Sequence, residues 1–554
     1  MKNYFIVLSI IITCAGCAQE TLDKQTDQLI SGMIKTGGAG VTVAVEKDGA
    51  ILFTKGYGYA NPEYDIPNTP KTIFHVASVS KQFTAFAIAL LADQGKISID
   101  DDIRKYLPEL HDFGQKITIK QLVHHTSGLR DQWNLLALAG WRLDDVITRN
   151  QVLRLISHQN ELNFKPGDEM SYCNTGYTLM GEIVSRVSGK TFAEWCNENI
   201  FKPLDMNNTL FYDDHEKIVK DRAYSFYDSP EGLKKSVLSY ANAGATSLFT
   251  TAEDLTKWSN NFYTMKVGNK AVMKQMEERA VLNKGDTLSY AFGQDIAKYK
   301  GLKTIAHSGG DAGYRSFLLR FPEHKFSIVV LSNLGSFNPG GLAYKIADIY
   351  LKEYLKDDTK KSLEKPSEAG RVEVGESLLK SYEGQYQLSP EMIVGIKLEK
   401  GKLMAHASGQ SPVALVASSD TEFLIEGTDM KIAFNKTSGD SVNQFTFYQG
   451  GQTMKAPRIK PFDPKSIDLS AYTGAYYSPE LQTSYNLEIK GDTLIANHIR
   501  HEPFVMTPMS GDVFAADAWF MSKVEFLRND KLEIAGFKAS SGRVRNVKFE
   551  KKTM

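Results

Sequence analysis

Two side chains able to share nucleophilic chemistry stand three residues apart in FHVASVSKQFTAF, Phe74 to Phe86: the Ser78 hydroxyl and the Lys81 amine. Residues three apart share a helix face, so the amine can reach the hydroxyl and take its proton. The pair is weak by itself, because Ser-x-x-Lys recurs at Ser362–Lys365 and Ser377–Lys380. Its context is more telling. Ile73-Phe74-His75-Val76 reads as a short extended approach, and Lys81 begins a helical pattern. Ser78 is therefore expected at the helix's N-terminal turn, where free N–H groups and the positive dipole end favour a developing oxyanion. Partly out of water and near that positive end, Lys81 is expected to release its proton more readily than a solvated lysine.

A second group must carry the proton to the leaving group. SYCNTGY offers Tyr172 and Asn174, and Tyr59-Ala60-Asn61 and Tyr240-Ala241-Asn242 repeat the triplet elsewhere. Tyr172 is preferred because a helical pattern follows it at once, which places it on a loop able to face a cleft. A third element is AHSGGDAGYRSFLLR, where His307-Ser308-Gly309-Gly310 precedes alternating strand text. It reads as a cleft edge whose glycines permit close approach of a substrate.

The elements that must position these residues alternate between strand and helix from about Gly40 to Tyr354. VTVAVEKDGAILFTKGYGYA reads as two strands around a Lys-Asp-Gly turn. KQFTAFAIALLADQG reads as an amphipathic helix with Phe83, Ala87, Leu90 and Leu91 on one face, closed by Gly95. TGYTLMGEIVSRVSG and TAEDLTKWSNNFYTM are further helices, and KFSIVVLSN suits a buried strand. This mixture implies an α/β or α+β domain, an antiparallel sheet flanked by helices. The polar stretch KDDTKKSLEKPSEAGR then reads as a linker, and the text becomes short alternating runs. Those runs repeat: SYEGQY places Tyr382, Gly384 and Tyr386 as AYTGAY places Tyr472, Gly474 and Tyr476; Gly401 recurs as Gly491 and Phe423 as Phe514. Two units of roughly 90 residues, joined by KAPRIKPFDPK, are each the size of a small closed antiparallel barrel.

The order Ser-x-x-Lys, Tyr-x-Asn, His-Ser-Gly resembles the serine β-lactamase and penicillin-binding-protein superfamily in its class C-like branch, which includes esterases, DD-peptidases and D-aminopeptidases. ITIKQLVHHTSGL, GKISIDDDIRKYLPEL and ANAGATSLFTTAEDLTKW strengthen the match, which covers about Gly40 to Tyr354. The resemblance implies a serine hydrolase working through an acyl-enzyme, without metal or cofactor. In it Ser78 is the nucleophile, Lys81 the general base and Tyr172 the proton shuttle. Asn174 holds the substrate amide, Ser308 and Gly309 line the substrate, and the N–H groups of Ser78 and Gly310 form the oxyanion hole. His307 stands where many relatives carry the lysine of Lys-Thr-Gly. A histidine is mostly neutral above about pH 6.5, so carboxylate-bearing β-lactams are expected to be poor substrates. No Ser-Asp-Asn triplet or class A glutamate loop is evident. His-x-Gly resembles peptidases and esterases, and the trailing barrels resemble the layout of D-aminopeptidases and other lipocalin-tailed hydrolases. The expected substrate is a small molecule, short peptide or ester, with D-amino-acid amides foremost. An acylable sensor or scaffold with little turnover, and a carrier whose barrels bind the ligand, are the rival readings.

Composition agrees with a multidomain globular chain. Its 554 residues exceed one core and suggest two to four domains; 42% are hydrophobic, 23% are charged, and 65 basic residues balance 65 acidic ones. Nothing in that balance points to a nucleic-acid partner. MKNYFIVLSIIITCAGCAQE has a lysine and an apolar run too short to span a bilayer, the pattern of a secretory leader. It ends either in lipidation at Cys17, with Cys14 a departure from the lipoprotein box, or in plain cleavage near Ala18. A periplasmic or membrane-anchored protein is therefore expected. The division is a leader at 1–17, a hydrolase domain at 25–355, a linker at 356–370 and barrels at 371–457 and 465–554. Beyond the leader, Cys173 and Cys196 make no disulfide framework and read as buried thiols, with pairing the alternative. His124-His125 reads as structural rather than metal-binding, and GYGYAN as strand and turn rather than a nucleotide loop.

Overall fold

The segment VTVAVEKDGAILFTKGY folds back on itself as β1 (Val41–Lys47) and β2 (Ala50–Tyr57). Asp48 and Gly49 turn the chain with φ of 52° and 84°, the left-handed pair that a two-residue hairpin requires. The structure is a computed structural model that describes residues 19–552 apart from 357–371, 390–391, 408–411, 426–427, 429, 437–441, 450–451, 461 and 463–465. The leader with Cys17, and all of the 356–370 linker but its first residue, lie outside the described residues. Two compact units result, the first carrying the sheet and helices, the second both barrels.

In the first unit β1 and β2 join β3 (Asp295–Tyr299), β4 (Leu302–Asp311), β5 (Tyr314–Phe321) and β6 (Phe326–Ser332) in one sheet of order β3-β4-β5-β6-β1-β2. Every neighbouring pair is antiparallel. KFSIVVLSN is a buried strand, as its apolar run predicts, because both faces of the sheet are covered. Ile328 and Val330 pack with Leu342, Ile346 and Ala347 of helix Pro339–Tyr350, whereas Val329 and Leu331 join the larger core on the opposite face.

That larger core is built around three helices: α1 (Ser80–Asp93), α2 (Asn174–Ser188) and α3 (Ala252–Thr264). Thr251 caps α3 by accepting from Asp254 N–H, and Gly189 ends α2 in the left-handed conformation, φ 71°. The amphipathic reading of α1 is corrected: every residue from Ser80 to Leu91 is buried. Its polar residues do not mark a wet face because each is satisfied inside. Ser80 Oγ donates to Ala77 O at 2.5 Å, Thr84 Oγ1 to Gly244 O at 2.7 Å, and Gln82 Oε1 accepts from Trp258 Nε1 at 3.0 Å.

The second unit holds two closed eight-stranded antiparallel barrels, Gly384–Ser389 through Gln452–Ile459 and Gly474–Ser478 through Val544–Lys551. The sequence repeat survives down to single hydrogen bonds. Tyr386 OH donates to Tyr382 O at 2.9 Å, and Tyr476 OH to Tyr472 O at 2.8 Å. Gly401 and Gly491 both turn the chain at positive φ, 79° and 66°. Each barrel is filled by its own side chains, among them Tyr386, Phe423 and Phe445 in one and Tyr476, Phe514 and Phe537 in the other.

Candidate active site

Ser78 lies in a 3-10 turn, Ala77–Val79, between the short strand Phe74–His75 and α1. It therefore precedes the α-helix proper, which opens at Ser80, and Lys81 is the helix's second residue. Ala77 takes φ 47°, a left-handed conformation that costs an alanine about 1 kcal/mol. The surroundings enforce it. Val76 N–H donates to Leu248 O at 2.9 Å, and Val76 O accepts from Ser316 Oγ at 2.7 Å.

Strand β4 runs against this turn. A Cβ on Gly309 would stand 2.3 Å from Val76 O and 3.1 Å from Ser78 N, so only glycine lets the strand approach so closely. β3 stops pairing with β4 at Ala306, while β5 continues along its other edge to Asp311. The edge from His307 to Asp311 is thus left unpaired within the sheet beside the serine. Gly310, the expected second oxyanion donor, is on that edge. Ser308 is exposed and alternates to the face opposite His307.

The Lys81 side chain is fully buried and its Nζ meets three oxygens: Ser78 Oγ at 3.1 Å, Asn174 Oδ1 at 2.8 Å and Ala245 O at 2.7 Å. Two of those partners can only accept. With those two acceptors taking its hydrogens, the amine in its neutral form would have its lone pair left for the serine hydroxyl, which is what a general base needs. Asn174 is tied inward at both ends of its amide, since Nδ2 donates to Asp131 Oδ2 at 2.8 Å. Asp131 also accepts from Asn174 N–H at 2.7 Å. The structure thus shows Asn174 as a partner of Lys81 in addition to any contact with substrate.

Tyr172 sits two residues before α2 with its ring centre 4.9 Å from Lys81 Nζ. His125 stacks on that ring at 4.2 Å and takes Cys173 N–H on Nδ1 at 3.0 Å, fixing where the loop before α2 passes. The two other Tyr-x-Asn triplets take different places: Tyr59–Asn61 is a short strand, and Tyr240 packs on Trp133 while Asn242 donates to Thr178 Oγ1 at 3.0 Å. His124 is structural, its Nε2 on Glu278 O at 3.0 Å. Cys173 and Cys196 are separate, buried, free thiols, and burial pushes the Cys173 thiol up to about 12.

His307 is buried beside Tyr172, with ring centres 6.2 Å apart. Its tautomer follows from its partners. Nδ1 lies 2.6 Å from Ser308 O and must donate, so in the neutral ring Nε2 accepts from Tyr290 OH at 3.1 Å. Burial pulls the imidazole down to about 4. The unfolded chain takes a proton near 6.5 that the folded chain refuses, so this residue's contribution is intact above pH 6.5. It is lost as pH falls from 6.5 to about 4, about 3 kcal/mol in all. The His307→Gln variant is expected to lose less stability than wild type between pH 7 and pH 4.5 in thermal melts. Equal slopes for the two proteins would show that His307 is not the residue refusing the proton.

Sequence reasoning did not single out Asp131, Ala245 or Tyr290. Asp131 and Tyr290 touch reactive groups through partners far along the chain, and Ala245 contributes a backbone carbonyl, for which residue type carries no signal.

A serine and a buried lysine at the seam between an antiparallel sheet and a helical layer define the class, a serine acyl-transferase or hydrolase of the penicillin-recognising fold. The chain belongs to the beta-lactamase family, whose model matches residues 26–350. It is 26% identical over 436 residues to penicillin-binding protein 4* of Bacillus subtilis, a match spanning 76% of this chain and 95% of that one. It is 29% identical over 297 residues to a D-aminopeptidase of Gluconobacter oxydans, but there the match spans only 53% of this chain and 56% of the relative. Among solved structures, the octameric penicillin-binding protein homologue from Pyrococcus abyssi shares the fold with a TM-score of 0.56 at 22% identity, over 87% of this chain and 99% of that one. A penicillin-binding protein from Bacillus halodurans gives 0.51 at 26% identity, over 56% and 95%.

Proposed function

We propose that the protein hydrolyses amides of short, D-amino-acid-containing substrates through an acyl-enzyme on Ser78. The observation that carries this reading is the fully buried Lys81 amine, held 3.1 Å from Ser78 Oγ by Asn174 Oδ1 and Ala245 O, where in its neutral form it can take the serine proton. Ser78 Oγ attacks the carbonyl carbon as its proton passes to Lys81 Nζ, and the carbonyl oxygen gains the charge that the N–H groups of Ser78 and Gly310 receive. Tyr172, against the lysine, passes that proton to the leaving nitrogen, and the C–N bond breaks. Water then attacks the ester, gives up a proton by the same route, and releases the acid with Ser78 restored.

Two features narrow the substrate. Both ring nitrogens of His307 are engaged and the ring is neutral at physiological pH, so the site offers no fixed cation there for a β-lactam carboxylate. Relatives named for penicillin binding and for D-aminopeptidase activity support peptide-like amides.

The test is a panel of D- and L-aminoacyl p-nitroanilides and p-nitrophenyl esters, with a fluorophosphonate probe for the serine. Turnover of D-aminoacyl anilides at least about tenfold faster than their L-forms supports the reading. Turnover of esters alone makes the protein an esterase, and stoichiometric labelling without turnover makes it an acylable sensor.

A further inference from the structure

Alternation along β4 puts His307, Gly309 and Asp311 on one strand face. Gly309 touches the nucleophile turn, so His307 and Asp311 flank Ser78 from opposite directions along the strand. The two are opposite in kind. His307 is neutral with both nitrogens committed, whereas Asp311 follows directly on the oxyanion residue Gly310 and is a carboxylate.

Two segments of the site converge on Asp311. Its Oδ2 lies 2.9 Å from Nε2 of His75, three residues before the nucleophile. It also accepts from the hydroxyl of Thr246, next to the Ala245 carbonyl that holds Lys81. Burial pushes the His75 imidazole below its ordinary value, and its Nδ1 meets no hydrogen-bond partner, so it is a neutral donor to Asp311 rather than a counter-cation. Burial alone would raise the Asp311 carboxyl, but the bonds it accepts from His75 and Thr246 outweigh it and hold the group below its ordinary value. Two guanidinium groups of this region have other contacts. Arg222 lies over the Phe249 ring at 4.7 Å, and Arg315 donates to the carbonyls of Ala312 and Tyr314. The Tyr240 phenol also hydrogen-bonds Asp311, and both Tyr240 and Tyr314, whose rings pack on His75, are neutral because burial raises them. Among the described residues, no lysine or arginine forms an ion pair with Asp311. Its side chain is 17% exposed against 0% for His75, so a ligand reaches the carboxylate and not the imidazole.

A largely buried anion beside an oxyanion hole opposes the charge that develops there unless a cation arrives with the substrate. We propose that Asp311 is the anchor for an ammonium group on the acyl side of the scissile bond, two or three bonds from the carbonyl carbon. That distance follows from adjacency, since the Cα atoms of Gly310 and Asp311 are about 3.8 Å apart. The proposal rests on the serine-hydrolase reading above and specifies its substrate class as amides of amino acids or peptides with a free amine.

The experiment compares D-alanyl p-nitroanilide with its N-acetyl form on the full-length protein and on Asp311→Asn. Wild type is expected to prefer the free amine, and D311N to lower that ratio of kcat/KM by about tenfold or more, chiefly through KM. Equal loss on both substrates would make Asp311 a structural tie and overturn the proposal. Wild type alone provides a check that does not depend on the variant folding. KM for the free-amine substrate should rise as pH passes the amine's own pKa, about 7.7–8.0 for an α-amino group, while KM for the N-acetyl form stays level. Level KM for both overturns the proposal as well. If neither anilide is turned over, the pair is compared as competitors of fluorophosphonate labelling. Labelling of Ser78 without preference for the amine removes the Asp311 proposal alone; no labelling removes the hydrolase reading and this proposal together.

Discussion

Alanine at position 78 is expected to reduce turnover of every accepted substrate by about 10⁴-fold or more while the protein melts within a few degrees of wild type. The change deletes one oxygen from a partly exposed turn. Lys81 loses its contact with Ser78 Oγ but keeps its bonds to Asn174 Oδ1 and Ala245 O, so the amine stays anchored in place. The strained Ala77 and the bonds at Val76 are untouched, which keeps the proposed oxyanion donors in place. Initial rates and intact-mass detection of the fluorophosphonate adduct measure the outcome. Retention of a tenth of wild-type turnover, or an adduct of unchanged stoichiometry, would place the nucleophile elsewhere.

The site was legible where its chemistry is local in sequence. Ser78 and Lys81 meet across one helical turn, and their spacing together with the extended approach before them and the helical pattern after proposed them. The decoy at Ser377–Lys380 shows why spacing was insufficient: Lys380 is 60% exposed and pairs with Glu376 at 2.8 Å, a solvated face rather than a site. Burial distinguished the two, and burial is a property of the whole fold. Asp131 reaches Lys81 only through Asn174, 43 positions further on, and nothing in SGLRDQ announces that link. The same limit explains α1, read as amphipathic, where Gly244 and Trp258 satisfy Thr84 and Gln82 inside the core. The barrels were legible for the opposite reason. Tyr386 and Tyr476 each bond a carbonyl four residues back, so a local constraint wrote itself twice into the sequence.

Lys81→Met separates the base from the nucleophile. Methionine approximates the lysine's length and fills the same fully buried slot, but it has no lone pair of comparable basicity and no N–H. Ser78 then has to lose its proton unaided, and a loss in kcat of about 10³-fold is expected, within the range that positioned general bases supply. Fluorophosphonate labelling should slow by a similar factor, because phosphorylation of the serine needs the same deprotonation. Stability should change in a way that Ser78→Ala does not produce. Asn174 Oδ1 and Ala245 O each lose a donor in a dry interior, at about 1–3 kcal/mol apiece, partly offset by removal of a buried amine. A melting temperature several degrees below wild type is therefore expected together with the kinetic defect. Should K81M label and turn over at a tenth of the wild-type rate or better, the proton must leave Ser78 by another route. Tyr172, whose ring centre stands 4.9 Å from the amine, would then be the residue to test as base.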